Sequence, residues 1–234
     1  MNISNKTSAI FKSSSCLPPE GSYRLKQVAI TENGRHELCY RDQLKIYTQQ
    51  RFMFAFIHPE LGIDVGAGFT SWHQGYMTEE PQETHNGSIN GLQFEIPIEP
   101  VLGGFTQTIV GMTYADGRSL DMVETWESVS QITSDFDGLW QCIDNNIVKT
   151  KMIGGGHFIL LQRPLSGQTF DATFCFGSLV IANNGQAVKT NMTSSIMDSM
   201  NASTRLVLTL TDKRHFNQTT LIDGVAVNET YQRL

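Results

Sequence analysis

At 234 residues the chain is long enough for one large domain or two small ones, either with a substantial core. Hydrophobic residues supply 40% of it and charged residues only 17%, which with 20 Gly and 7 Pro excludes a disordered or collagen-like chain. The formal net charge is −6, and no apolar run approaches the roughly 18 residues that a membrane-crossing helix requires.

The charge is unevenly placed. Between Phe52 and Ile147 fourteen Asp and Glu accompany a single basic residue, Arg118. Phosphate binding needs clustered Lys and Arg, so neither nucleic acid nor a membrane is an expected partner. Cys16, Cys39, Cys142 and Cys175 form no Cys-x-x-Cys pair, and no His stands at zinc-ligand spacing, so no metal is expected. Residues 1–20 are polar and lack the apolar centre of a secretory leader, and they read as a disordered tail of a cytoplasmic protein. Seven Asn-x-Ser/Thr triplets, beginning at Asn2, Asn5, Asn86, Asn191, Asn201, Asn217 and Asn228, stay a compositional feature in that setting.

From Tyr23 onward, short β-branched and apolar runs are separated by Gly, Asn and Asp at intervals of about ten residues, the spacing of sandwiches and barrels. In chain order they include Leu44 to Tyr47, Phe52 to Ile57, Leu92 to Ile98, Phe105 to Met112, Phe158 to Leu161, Leu206 to Leu210 and Thr219 to Ile222. Met122, Trp126, Val129 and Ile132 would suit one helix by spacing, and residues 191–200 are a second helical candidate.

An internal repeat decides between these readings. Lys45 and Phe52 match Lys151 and Phe158 at an offset of 106, and Glu124-Thr125-Trp126 matches Glu229-Thr230-Tyr231 at 105. Gly21-Ser22-Tyr23 matches Gly138-Leu139-Trp140 at 117, which requires a longer first loop in the first copy. Because Thr230-Tyr231-Gln232 lies in an alternating stretch, its partner around Trp126 is expected to be a strand. The expected fold is therefore all-β, with two tandem antiparallel barrels over 21–130 and 131–234. A single larger barrel is the alternative.

The repeat resembles the bacterial lipocalin-like domains of the calycin group. The likeness rests on Gly138-Leu139-Trp140, Lys151-Met152-Ile153 with the turn from Gly154 to Phe158, and Glu229 to Leu234. In the first copy it rests on Lys45 to Phe54, Gly66 to Phe69, Tyr76 to Glu79 and Glu124 to Glu127. The resemblance implies that Trp140 plugs one end of its barrel beneath Arg233. The first copy departs from this, with Tyr23 and Ser128 at those positions.

An eight-stranded barrel is filled by side chains or holds one small ligand. Phe52, Phe54, Trp72, Trp126, His157, Phe174 and Tyr231 are the candidate ligand-lining residues, and the opposing reading is that these aromatics simply fill the core. Glu79, Glu124 and Tyr76 are the candidate acid–base groups, because a carboxylate desolvated beside an indole has a raised pKa. The opposing reading places these carboxylates in water or in ion pairs. Glu79, Glu80, Glu83 and His85 could ligate calcium, but without an Asp-x-Asp-x-Asp-Gly loop a solvated hairpin is the simpler expectation. No nucleophile elbow, zincin or dinucleotide motif is present, so no cofactor is expected. The resemblance implies a cofactor-free cyclase or isomerase of specialised metabolism acting on a small apolar or amphipathic molecule. A non-catalytic carrier and a side-chain-filled scaffold are the competing classes.

Overall fold

A computed structural model describes residues 20–59, 62–73, 75–113, 117–166 and 172–234. The expected tail lies outside these residues except for Glu20. In the first copy the strands are β1 (Gly21–Glu32), β2 (Arg35–Cys39), β3 (Leu44–Thr48), β4 (Arg51–His58) and β5 (Gly62–His73). They continue as β6 (Tyr76–Thr84), β7 (Gly87–Ser88), β8 (Phe94–Val101), β9 (Gly104–Thr113) and β10 (Ser119–Ser130). Antiparallel pairing runs β1-β3-β4-β5-β6-β8-β9-β10, and β10 pairs back onto β1 to close the ring.

The second copy is built from β11 (Gly138–Asp144), β12 (Ile147–Gly154), β13 (His157–Pro164), β14 (Thr173–Ile181) and β15 (Gln186–Ser194). It ends with β16 (Ser203–Asp212), β17 (His215–Ile222) and β18 (Val225–Arg233), and β11 to β18 form a closed eight-stranded barrel. The chain is thus two tandem barrels. The first helical candidate is strand instead, with Met122 and Trp126 in β10, and the second is divided, 191–194 ending β15 before one 3-10 turn at Met197–Ser199. Alternation explains this, because Leu120, Met122, Glu124 and Trp126 are buried while Asp121, Val123 and Glu127 are exposed. No helix among the described residues is long and apolar enough to cross a membrane.

The two copies carry matching devices. The extra length at the start of the first is the outer half of β1 with β2, where the second has only the turn Asn145-Asn146 between β11 and β12. Each barrel has a bulge in its fifth strand, with Gln82 and Met192 the extra residues, where the fourth strand passes Ala67 and Phe176. A Cβ on the following glycine, Gly68 or Gly177, would stand 2.0 or 1.9 Å from a carbonyl oxygen of the neighbouring strand. Only glycine fits there.

Strands two to four of each barrel are buried on both faces. Leu44, Ile46, Met53, Ala55, Val65 and Ala67 turn outward and form one core with Leu139, Met152, Ile159, Leu161, Phe174 and Phe176 of the other barrel. The registers put Ala67 opposite Met53 and Phe176 opposite Ile159, so small residues of one copy occupy the places of large ones in the other. Glu83 adds a buried inter-barrel bridge, 2.7 Å from Arg163 Nε and accepting from Thr150 Oγ1 at 2.7 Å.

The hairpin tip of each copy also reaches the closing seam of its neighbour. Gln49, in the β3–β4 turn, donates to Asp137 O at 3.1 Å and accepts from Arg233. The corresponding β12–β13 turn, Gly155-Gly156, reaches β1 and β10, and Ser22 Oγ donates to Gly155 O at 3.2 Å. Gly155 has φ +61°, and a Cβ there would lie 2.5 Å from Ser22 N and 2.6 Å from Ser130 O. The glycine run therefore serves close approach between barrels as well as the turn.

Gly34 at the β1–β2 tip provides the control, since its φ is +76° but nothing lies within 4 Å of an added Cβ. Gly34→Ala should cost only the left-handed strain, about 1 kcal/mol. Gly155→Ala should cost about 1–3 kcal/mol more through overpacking. Urea unfolding of the two variants measures the difference, which equal losses would remove.

Candidate functional site

The interior of the first barrel contains a connected set of polar side chains below an aromatic wall. Alternation along β3 and β4 turns Lys45, Tyr47, Phe52, Phe54 and Phe56 inward while Ile46, Met53 and Ala55 face the other barrel. Lys45 Nζ lies 2.8 Å from Glu79 Oε1 and donates to Gln107 Oε1 at 3.3 Å. Tyr47 Oη donates to the same Glu79 oxygen at 2.9 Å. Gln107 Nε2 donates to Glu124 Oε2 at 2.6 Å, and Trp126 Nε1 donates to that oxygen at 3.1 Å. The ammonium also sits 5.2–5.9 Å from the ring centres of Tyr47, Phe52, Phe54 and Trp126, within cation–π reach.

Burial sets the electrostatics of this cluster. Desolvation pushes the Glu124 carboxyl up, against the opposing pull of Lys45 and Arg41. Burial, reinforced by Glu79, holds the Tyr47 phenol well above its ordinary value, so Tyr47 is a donor at neutral pH.

The second barrel repeats the cluster on equivalent strands. Lys151 Nζ donates to Gln218 Oε1 at 2.6 Å, Gln218 Nε2 donates to Glu229 Oε2 at 2.8 Å, and Tyr231 Oη donates to Glu229 Oε2 at 3.2 Å. Lys151, Gln218, Glu229 and Tyr231 therefore stand where Lys45, Gln107, Glu124 and Trp126 stand. The carboxylates nevertheless differ. Burial alone would raise Glu229, but the hydrogen bond from Lys149 and the charges of Lys151 and Lys149 reverse the balance and its pKa is lowered. The expectation of a raised pKa thus holds for Glu124 and does not extend to its counterpart Glu229.

The expected site residues are brought together only in part. Glu79, Glu124, Phe52, Phe54, Trp72 and Trp126 all belong to the interior of the first barrel, where Trp72 makes an edge contact with Tyr47 at 5.6 Å. Tyr231 lies in the second barrel's interior. Three residues are elsewhere. Tyr76 is 52% exposed at the start of β6, because Met77 and Glu79 take the inward positions. Phe174 lies in the core between the barrels. His157 is at the inter-barrel seam, its Nδ1 2.9 Å from Ser22 Oγ and 2.8 Å from Gly155 O, and burial lowers its pKa.

The acidic run is divided by the same alternation: Glu79 points into the barrel and Glu83 outward to Arg163. No group of three or more His, Cys, Asp or Glu gathers among the described residues. Lys45, Tyr47 and Gln107 were missed as site residues. Their available signal was that a Lys repeated at one offset, on the same face as aromatics, occupies an interior position in both copies.

At the closed end of the second barrel, Arg233 lies 4.1 Å from the Trp140 ring and donates to Asp137 O at 2.7 Å, while Trp140 Nε1 donates to Phe136 O at 2.8 Å. That is the stacking arrangement expected for these two residues.

No family model and no curated protein matches the chain. Among solved structures it is similar to a protein of unknown function of the DUF3598 family from Nostoc punctiforme, at 9% identity and a TM-score of 0.26, over 92% of this chain and 96% of that one.

The two lysines should respond differently to removal. Lys45→Met leaves Glu79 buried without its cation and should cost about 3–5 kcal/mol, and adding Glu79→Gln should restore a large part of it. Lys151→Met removes the hydrogen bond to Gln218 and the cation over the Tyr231 ring at 4.1 Å but leaves Glu229 its contact with Lys149, and should cost about 1–3 kcal/mol. Denaturant unfolding of the four proteins tests this, and equal losses at the two lysines would contradict it.

Proposed function

We propose that the first barrel binds a small amphipathic molecule, in the manner of a lipocalin-like carrier. The observation that supports this reading is Phe54. It faces inward in mid-strand opposite Lys45, and it keeps accessible surface while Phe52 and Phe56 on either side are 0% and 3% exposed. Two buried oxygens in the same barrel have no hydrogen-bond partner, Gln43 Oε1 just before β3 and Thr70 Oγ1 on the residue paired with Glu79 in the β5–β6 register. An unmade buried hydrogen bond costs about 1–3 kcal/mol, which a guest with one polar group would recover. Aromatic walls with a few convergent polar atoms are the general composition of a small-molecule site.

The second reading is a cofactor-free cyclase or isomerase, favoured by the desolvated carboxyl of Glu124 beneath the aromatic wall. Against it, Glu124 Oε2 already accepts two hydrogen bonds, and its counterpart Glu229 repeats that arrangement in the other barrel. A polar cluster common to both copies is a property of the duplicated unit, so carriage is the better supported function.

The neutral fluorophore 1-aminoanthracene tests the binding site. The protein should bind it with micromolar affinity. A Cβ at Gly66 would meet the Phe54 ring at 2.6 Å, so Gly66→Ala should drive the ring into the guest space and weaken binding about tenfold. Absence of binding, or an unaffected variant, would overturn the proposal. Glu124→Gln should retain binding under either reading. For any guest that the protein converts, it should lower turnover by about a hundredfold or more only if Glu124 transfers a proton.

A further inference from the structure

Five of the seven Asn-x-Ser/Thr triplets lie among the described residues, and the fold treats one of them differently from the other four. Their number calls for a reason. The chain has 13 Asn, and 40 of its 234 residues are Ser or Thr, so independent placement, 13 × 40/234, starts about two such triplets where seven stand.

Four of the five asparagines face water. Asn86 is exposed in the β6–β7 turn, and Asn201 is exposed, with φ +59°, in the turn before β16. Asn217 and Asn228 are exposed on the outer face of the β17–β18 hairpin, where the two triplets run antiparallel with Asn217 opposite Thr230 and Thr219 opposite Asn228. Thr230 Oγ1 donates to Asn217 Oδ1 at 2.9 Å, and Thr219 Oγ1 donates to Asn228 Oδ1 at 2.7 Å. Each amide is thus fixed through its oxygen, and neither Nδ2 is spent in a hydrogen bond among the described residues. The outward positions of the hairpin, from Asn217 to Leu221 and from Ala226 to Gln232, hold no charged residue, since Glu229 turns inward. None of the four stands on the walls that the barrels press together.

Asn191 is the contrast. It is 5% exposed in β15, its Nδ2 donates to Ser199 O at 2.9 Å, and Thr193 of the same triplet donates to Asp42 of the other barrel. A sugar on that nitrogen would break the bond to Ser199 and stand inside a buried strand.

We propose that Asn86, Asn201, Asn217 and Asn228 carry N-linked glycans and that Asn191 does not. The donor is a lipid-linked oligosaccharide pyrophosphate, and the transfer is a substitution at the sugar C1. The bond from Asn Nδ2 to C1 forms, the bond from C1 to the phosphate oxygen breaks with its electron pair leaving on the lipid pyrophosphate, and one Nδ2 proton passes to a base of the transferase. The acceptor motif needs the hydroxyl two residues on, and the fold engages those of Thr219 and Thr230, so transfer precedes the pairing of β17 with β18. The fold must then accommodate the product, which it does at four positions and not at the fifth. The assignment places the chain in the compartment that holds this donor, in place of the cytoplasm expected from its sequence.

The test takes the protein from the cells that make it, treats it with peptide-N-glycosidase in heavy-oxygen water and maps its peptides. That enzyme converts each glycosylated Asn to an Asp carrying the heavy oxygen. Asn86, Asn201, Asn217 and Asn228 should be labelled, Asn191 should not, and the intact chain should lose mass. Thr230→Val, made in the same cells, should abolish the label at Asn228 and keep it at Asn217, which separates enzymatic transfer from spontaneous deamidation. Valine is a β-branched replacement at an exposed strand position, so this variant keeps the fold. No label at any of the four, label at Asn191, or label at Asn228 that survives Thr230→Val would each overturn the proposal.

Discussion

The architecture depends on one apolar contact, in which the outer walls of strands two to four of both barrels press against each other. A barrel wall that faces water can alternate polar and apolar residues, but a wall buried on both sides cannot. That constraint writes Phe158-Ile159-Leu160-Leu161 as an unbroken buried run, with Phe158 and Leu160 inside and Ile159 and Leu161 outside. It also dictates size. Ala55, Val65 and Ala67 on one wall leave room for Leu161, Phe174 and Phe176 on the other, so the copies must have diverged in volume while keeping their strand order.

Inside the barrels the logic is electrostatic. Both keep a lysine on the second strand, a glutamine on the seventh, and a glutamate with an aromatic on the eighth. Such a set is expensive to bury unless every member is satisfied. The first copy completes it with Glu79; the second diverts its glutamate to Lys149. One inherited arrangement thereby gives two interiors of different charge.

Much of this was legible in the sequence. Period-two alternation and regular turn signals gave the all-β class. The offsets of 106 and 105 located the second copy, and that in turn made a strand of the segment around Trp126 despite its helix-like spacing. Glu124 beside Trp126 was readable because both sit on one strand face. The residues misplaced by sequence reasoning share a cause. Phe174 and His157 were assigned to an interior, but a single apolar strand does not reveal which of its two buried faces meets the lumen and which meets a second domain. Tyr76 failed through parity, being one residue out of phase with Met77 and Glu79. Lys45 and Lys151 were visible as anchors of the repeat, yet an alignment carries no statement about ionic partners. Those depend on Glu79 and Lys149, which lie on non-equivalent strands.

The seams of the two barrels are secured unequally. Arg233 fastens the second one from within its own copy, by stacking on Trp140 and bonding the backbone at Asp137 and Lys213. Ser128 in the first copy offers nothing comparable, and its seam is covered by Gly155 reaching over from the neighbour. The first seam is instead held by its length, a β1–β10 ladder running from Ser22 to Thr31, where the β11–β18 ladder holds only Trp140 and Gln141. A short seam clasped by one stacked arginine and a long seam held by backbone ladder are two solutions to closing the same ring.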